Sequence, residues 1–395
     1  MTTNSLAIVG GGIAGLACAL ATARGGSRAI VLEQTAVFGE VGAGIQLGPN
    51  AVRRLQSWGV LNPKTLHPYE PEALHIHSAV DGSLLGKLRL RGRARAHYGA
   101  PYFTVHRADL HNTLIQAALT SPRIQVVAGT DVRACESSGH VSWSDASGEC
   151  DQRFDAVVNA QGIWSKVRTD GLGGKPPQWT GHVAYRVLVP MAALPLVQRR
   201  LEIGVWLGPN MHVVHYPVRG NDLLNVVLLV EAPKREPAQD WSQTCDRSEV
   251  DQWVNRMHPS LRSLFDAVAE AGADWRLWAL AGRPPISDAE SLYSDRLVHV
   301  GDAAHPMLPY LAQGAAMGIE DADVLAMVLA RYPHNVQFAL REYARLRWER
   351  VRRVQARARR NGKIFHASGV MALARNWAMA LGKEQAIDLP WLYNY

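Results

Sequence analysis

Cysteine is scarce in this chain, which holds four (Cys18, Cys135, Cys150, Cys245) in 395 residues. None pairs as CxxC or stands at a metal-ligand spacing. That pattern excludes structural zinc, and no metal is expected; it fits the reduced cytoplasm, with thiols as small core residues. Charge is thin too, at 19% against 47% hydrophobic residues, so the chain can bury a large core. No internal repeat or low-complexity tract occurs, and the length suggests two structural units. Leu6 to Ala23 is an uncharged stretch as long as a membrane span, but it contains Gly10, Gly11, Gly12 and Gly15 and follows no basic segment. It reads as a strand, a tight turn and a buried helix, so neither a signal peptide nor membrane insertion is expected.

The net charge of +7 suggests a nucleic-acid partner until it is located. Arg341 to Lys363 alone carries ten basic residues against Glu342 and Glu349, which leaves the rest of the chain near neutral. The segment reads as a helix with a solvated basic face, the sharper alternative being a local field that attracts an anionic ligand. No nucleic acid is expected as a partner.

Leu6 to Val9 and Arg28 to Leu32 read as buried strands flanking a small-residue helix from Ile13 to Ala23, a β-α-β unit. Between the first strand and the helix lies Gly10-Gly11-Gly12-Ile13-Ala14-Gly15, a GxGxxG turn. Its glycines allow a tight turn and close backbone approach, and a helix N-terminus offers N–H groups and positive dipole to a pyrophosphate. Glu33 ends the second strand, where an acid meets a ribose hydroxyl. Further on, a strand pair is expected around Leu74 to Leu90. Strands are also expected at His182–Val189, Leu201–Trp206, Met211–Tyr216 and Leu223–Val230, in an antiparallel meander with one buried face. Helical periodicity runs from Glu249 to Glu270, and Leu297 to Val300 is a buried strand ending in Gly301-Asp302. Asp302 is placed to accept from a ribityl-type hydroxyl, and the small residues Gly314, Ala315 and Ala316 let a helix begin beside a flat ring. Taken alone, that second motif also fits a capped helix.

Together these segments resemble the single-component (group A) FAD-dependent aromatic hydroxylases, which include salicylate hydroxylase, 3-hydroxybenzoate 6-hydroxylase and 6-hydroxynicotinate 3-monooxygenase. The resemblance rests on Gly10 to Leu16, Glu33, Gly42 to Ile45 with Pro49-Asn50-Ala51, and Arg107 to Leu110. It continues through Tyr185-Arg186, Tyr216-Pro217, Gly301 to Ala322 and Trp391 to Tyr393. It implies an α/β fold like that of para-hydroxybenzoate hydroxylase. That fold has a Rossmann-type FAD-binding domain with a glutathione-reductase-like βαβ unit, an inserted mixed or antiparallel-sheet substrate domain, and C-terminal helices. The expected division is 1–72, 98–180 and 279–333 for FAD, 73–97 and 181–278 for substrate, and 334–395 for the helices.

The resemblance implies FAD held by Gly10, Gly12, Ile13, Ala14, Gly15, Glu33, Gly44, Arg107, Gln161, Asp302, Gly314, Ala315 and Ala316. Arg107 could instead serve a structural ion pair. Gln161 stands where the family carries an aspartate; it keeps hydrogen bonding but loses charge, which bears on coupling to NAD(P)H more than on FAD retention. The reaction implied is NAD(P)H- and oxygen-dependent ring hydroxylation of a hydroxylated aromatic carboxylate through a flavin C4a-hydroperoxide. Such chemistry needs a His or Tyr at the substrate hydroxyl. His212 and Tyr216 share one strand face, with His215 on the other. Two readings stand for the pair: lining the ring pocket as catalytic groups, or packing within the sheet. Pro309 and Tyr310 are further catalytic candidates, and Gln46 and Arg186 complete the expected substrate pocket. His305 is read as bracing its turn. The rival activities are a flavin dehydrogenase or reductase without oxygen insertion, and a non-enzymatic flavin module. The expected state is a monomer or homodimer.

Overall fold

The structure is a computed structural model that describes residues 4–37, 43–171, 175–233 and 243–395. At its centre lies a six-stranded sheet in the order Tyr293–Ser294, Leu297–His299, Ala156–Asn159, Ser5–Val9, Arg28–Glu33, Ile124–Ala128. Every pairing is parallel except the first. Leu6, Ala7, Ile8 and Val9 are all buried, as a parallel strand covered on both faces requires. Two glycines make the turn that follows. Gly10 has φ +111°, and a Cβ there would stand 2.5 Å from the Ala160 carbonyl oxygen. A Cβ on Gly15 would stand 1.9 Å from the Gly10 carbonyl oxygen, so helix Ile13–Arg24 can start directly under the strand only because that side chain is missing.

A seven-stranded sheet forms the second layer, in the order Arg276–Gly282, Gln178–Pro190, Leu223–Glu231, Met211–Val218, Ile203–Gly208, Ala73–Ser78, Leu84–Arg89. The four strands expected to form an antiparallel set pair antiparallel, and Ile203–Gly208 runs parallel to Ala73–Ser78, which makes the whole sheet mixed. Strands Gln178–Pro190 and Arg276–Gly282 run through the expected division points at 180/181 and 278/279. Alternation sorts the faces. Val183, Tyr185, Val213, Val226 and Leu228 pack with Leu261, Leu264 and Phe265 of helix Pro259–Glu270, while their strand neighbours point to the opposite side. The single helical stretch expected from Glu249 to Glu270 is two helices, Arg247–Val254 and Pro259–Glu270. Pro259 opens the second, where its missing N–H costs nothing, and the His258 ring accepts from Ser260 N–H.

The basic segment lies on helix Val336–Phe365, and its face is not wholly solvated. Arg347 is fully buried and Arg350 nearly so. Arg347 donates to Asp321 and Glu320, both at 2.8 Å, and Arg350 to Glu320 at 2.8 Å. Sequence periodicity could not foresee this, because the matching acids sit on another helix, Gly314–Arg331. Among the described residues, no helix is long and apolar enough to cross a membrane. All four cysteines are unpaired.

Candidate active site

Between the two sheets lies a cavity of about 320 Å³. One wall consists of main chain and small residues. Helices Ile13–Arg24 and Gly314–Arg331 both begin there, and neither N-terminus has a side-chain cap. Gly12, Ile13, Ala14, Gly314 and Ala315 therefore bring unpartnered N–H groups and two positive helix ends to the lining. Asp302 opens onto the same space. Burial raises its carboxyl pKa, while His305 and Arg107 pull it back. Arg107 and Gly44 also line the cavity.

The start of the second helix is braced from behind. Asp321 accepts from Gly301 N–H at 2.8 Å and pairs with His305 Nε2 at 2.7 Å, so His305 is a turn brace. Burial alone would raise the Asp321 pKa, but His305 and Arg347 overcome it and hold the carboxylate ionised. Asn50 donates to Gln313 at 3.0 Å and to Glu320 at 2.7 Å, tying the helix entry to the same cluster.

Several expected cofactor residues sit next to the lining without facing it. Gly10, Gly15 and Ala316 shape the turn and the helix. Glu33 accepts from Gly11 N–H at 2.6 Å and from the Thr35 N–H and hydroxyl, so it closes against the glycine turn. Gln161 accepts from the Ser165 hydroxyl at 3.0 Å, one residue before Gly162, which does line the cavity. Gly42 lies outside the described residues.

The facing wall is made of side chains on the seven-stranded sheet. His212, Val214 and Tyr216 line the cavity from one strand, whereas His215 lies on the other face and accepts from the Trp206 indole at 3.2 Å. Ala184 and Arg186 come from a second strand, and Val227 and Leu229 from a third. Arg186 lies 4.8 Å above the Trp278 ring. Burial and the neighbouring Arg107 lower its pKa to about 10, which still leaves it a cation. Burial raises the Tyr216 pKa against the pull of Arg186 and Gln46, so its hydroxyl stays protonated. Burial, His366 and His182 push the His212 pKa well down, and the ring is neutral. Gln46 lines the cavity and accepts from Tyr102 at 2.7 Å.

One candidate changes place and another keeps its place without a catalytic group. Tyr310 is buried behind His212, at 5.2 Å between ring centroids, and is not on the lining. Gly362 leaves it room, since a Cβ there would stand 3.0 Å from the ring. Pro309 lines the cavity, and its carbonyl accepts from Ala312 N–H at 3.1 Å; it shapes a turn and has no group to exchange protons. Residues that sequence reasoning missed include Trp278, Met307 and Leu308 on the lining, and His182, Glu231 and His366 behind His212. Strand parity from Arg186 would have found Ala184, but no local pattern points to His366. His182, Glu231 and His366 bring potential metal-ligand atoms within 4.8 Å of one another. Both His366 nitrogens, however, are already engaged, by His212 and by Glu231.

The donors fit FAD. Two uncapped helix ends suit a pyrophosphate, Asp302 suits a hydroxylated linker, and Gly314 and Ala315 leave room for a flat ring. The FAD binding domain family matches residues 2–358. The 3-hydroxybenzoate 6-hydroxylase of Klebsiella oxytoca is 35% identical over 394 residues, covering 98% of this chain and 96% of that protein. The 6-hydroxynicotinate 3-monooxygenase of Pseudomonas fluorescens is 32% identical over 357 residues, 89% of each. A salicylate hydroxylase substrate complex superposes with a TM-score of 0.82 at 25% identity, covering 100% of this chain and 96% of that one. Likeness of this extent, over a cavity built for a flavin dinucleotide, places the chain in the FAD binding domain family, among the FAD-dependent aromatic-ring monooxygenases that take NAD(P)H as co-substrate.

Proposed function

We propose that the protein hydroxylates a small phenolic aromatic acid, of the hydroxybenzoate, salicylate or hydroxynicotinate class, consuming NAD(P)H and molecular oxygen. The observation that carries this reading is that Arg186, His212 and Tyr216 face into the same cavity as Asp302 and Gly314. The names of the relatives, hydroxylases of hydroxybenzoate and hydroxynicotinate, support the substrate class. FAD, when bound and reduced by NAD(P)H, supplies the activation of oxygen. The chain's own residues do the rest. Arg186 pairs with the substrate carboxylate, a charge-assisted contact suited to a guanidinium. His212 accepts the phenolic proton through Nε2, since its Nδ1 is taken by His366. Neutral Tyr216 donates a hydrogen bond to the resulting oxygen anion. Val214, Val227 and Leu229 keep water away from the ring.

In this reading the unit built on the six-stranded sheet holds FAD and the unit built on the seven-stranded sheet holds substrate, with 334–395 bracing both. The protein is taken to act as a monomer or homodimer, and its unpaired thiols accord with a cytoplasmic setting. The test is incubation with 2-, 3- and 4-hydroxybenzoate, NADH or NADPH, and isotopically labelled oxygen. One labelled oxygen in a dihydroxy product is expected. Reduced nucleotide consumed with peroxide as the sole oxygen product would instead mark an oxidase or reductase on the same scaffold.

A further inference from the structure

A line of three side chains leads out of the cavity on its substrate side. His212 stands on the lining and turns Nδ1 away, to within 2.8 Å of His366 Nε2. The other nitrogen of His366, Nδ1, lies 3.2 Å from Glu231 Oε1. His212 and His366 are buried, whereas the Glu231 side chain is 47% exposed. The three come from separate places: the strand Met211–Val218, the C-cap of helix Val336–Phe365, and the last residue of strand Leu223–Glu231. Tyr310, Phe365 and His182 pack around the two imidazoles and seal the line from the side.

The hydrogen positions follow from the end of the line. An ionised carboxylate only accepts, so His366 must carry its hydrogen on Nδ1. His366 Nε2 is then a lone pair that accepts from His212 Nδ1–H. That leaves the His212 Nε2 lone pair as the one free for a molecule in the cavity. A resident cation is disfavoured along the line. Burial, His366 and His182 depress the His212 pKa, and burial, His182 and Arg375 bring that of His366 down to about 3. Tyr310, the remaining titratable group against these rings, has a hydroxyl that burial keeps protonated. A proton left on His212 would therefore be a costly buried charge, and a phenol would not yield it there unless it moved on.

We propose that His212, His366 and Glu231 form a proton relay that carries the substrate's phenolic proton from the cavity to solvent. The proposal rests on the hydroxylase reading of the cavity. The phenol O–H bond breaks and its proton goes to His212 Nε2. The Nδ1 proton of His212 passes to His366 Nε2, and the Nδ1 proton of His366 passes to Glu231, which releases it to water. One proton enters and one leaves, no electrons change hands, and each imidazole ends neutral in its other tautomer. Protonation of the product runs the same transfers backwards and restores the line. His212 is the catalytic residue; His366 and Glu231 act through it.

The test is stopped-flow mixing of the FAD-loaded protein with 3-hydroxybenzoate, following phenolate absorbance at several pH values and buffer concentrations. The wild type should ionise the phenol at a rate independent of buffer concentration. Glu231→Gln, a change at an exposed position, should slow ionisation at low buffer by at least about tenfold and recover at high buffer. His366→Ala should slow it further, by about a hundredfold, with partial rescue by added imidazole and unchanged flavin content. A purely structural role would give neither buffer dependence nor rescue. Ionisation in Glu231→Gln that matches the wild type at every buffer concentration, while labelled product still forms, overturns the relay alone. Absence of hydroxylated product from all three hydroxybenzoates and from 6-hydroxynicotinate in the wild type overturns the hydroxylase reading, and the relay with it.

Discussion

The two walls of the cavity are built from different materials. The wall around Gly12, Ile13, Gly314 and Ala315 presents main-chain N–H groups at two helix ends, whereas Arg186, His212 and Tyr216 present functional side chains from a sheet. The first depends on conformation and is damaged by whatever prevents the backbone from closing up. The second depends on residue identity and can be altered while the fold stands. Substitutions on the first should show as lost flavin, and on the second as lost turnover with flavin retained.

The largest effect is expected from Gly15→Ala, because its Cβ would lie 1.9 Å from a backbone oxygen that cannot swing aside. Purified protein should be largely free of flavin by its visible spectrum; full flavin content would show that the turn opens without harm. Next is Arg347→Met, which leaves Asp321 and Glu320 buried with half their pairing gone. Loss of about 3–5 kcal/mol in denaturant unfolding is expected, and a loss near zero would mean the brace is dispensable. On the other wall, His212→Gln should keep FAD and lower kcat by about 10²–10⁴-fold. Flavin loss in that variant would erase the distinction between the walls. Arg186→Gln should raise KM for a carboxylated phenol by about ten- to a hundredfold, from a charged contact of ~1.5–3 kcal/mol. It should leave an uncarboxylated phenol nearly unaffected, which a substrate series would reveal.

A change in pH should act on both walls together. Burial, with nearby cations, holds His299 on the first side and His215 and His366 on the second at about 3, against an ordinary value of 6.5. The unfolded chain therefore binds protons near 6.5 that the folded chain refuses until about 3. Stability should be complete above the higher value and fall as pH drops between the two, by about 1.4 kcal/mol per pH unit for each histidine. Unfolding midpoints measured along a pH series check this. Separate acid transitions for the two sheets would show that the walls do not melt together.

Much of the first wall was legible in the chain because its signals are local. The glycine turn, the strand before it and Glu33 lie within a few dozen residues, and Gly301-Asp302 follows directly on an apolar strand. The second wall was legible only in part. Period-two alternation puts His212, Val214 and Tyr216 on one face, yet it cannot say which residues of other strands stand beside them, so Trp278 and Leu229 went unnoticed. Tyr310 was misplaced because the depth of a loop residue is set by what packs on it, here Gly362 from a distant helix. The basic helix was misjudged for the same reason, since Arg347 meets its acids across the fold. His366 lies 154 residues from His212, and no pattern in either segment announces their contact.

The main-chain character of the flavin-side wall has a consequence for how such a protein can change. N–H groups at helix ends are the same whatever side chains the helices carry outward, so grip on the cofactor is largely decoupled from the inward positions of the facing sheet. On the proposed reading, residues 184, 186, 214, 227 and 229, beside the proton-handling His212 and Tyr216, are thus a small set of dials that can be reset for a different ring without rebuilding what holds the isoalloxazine.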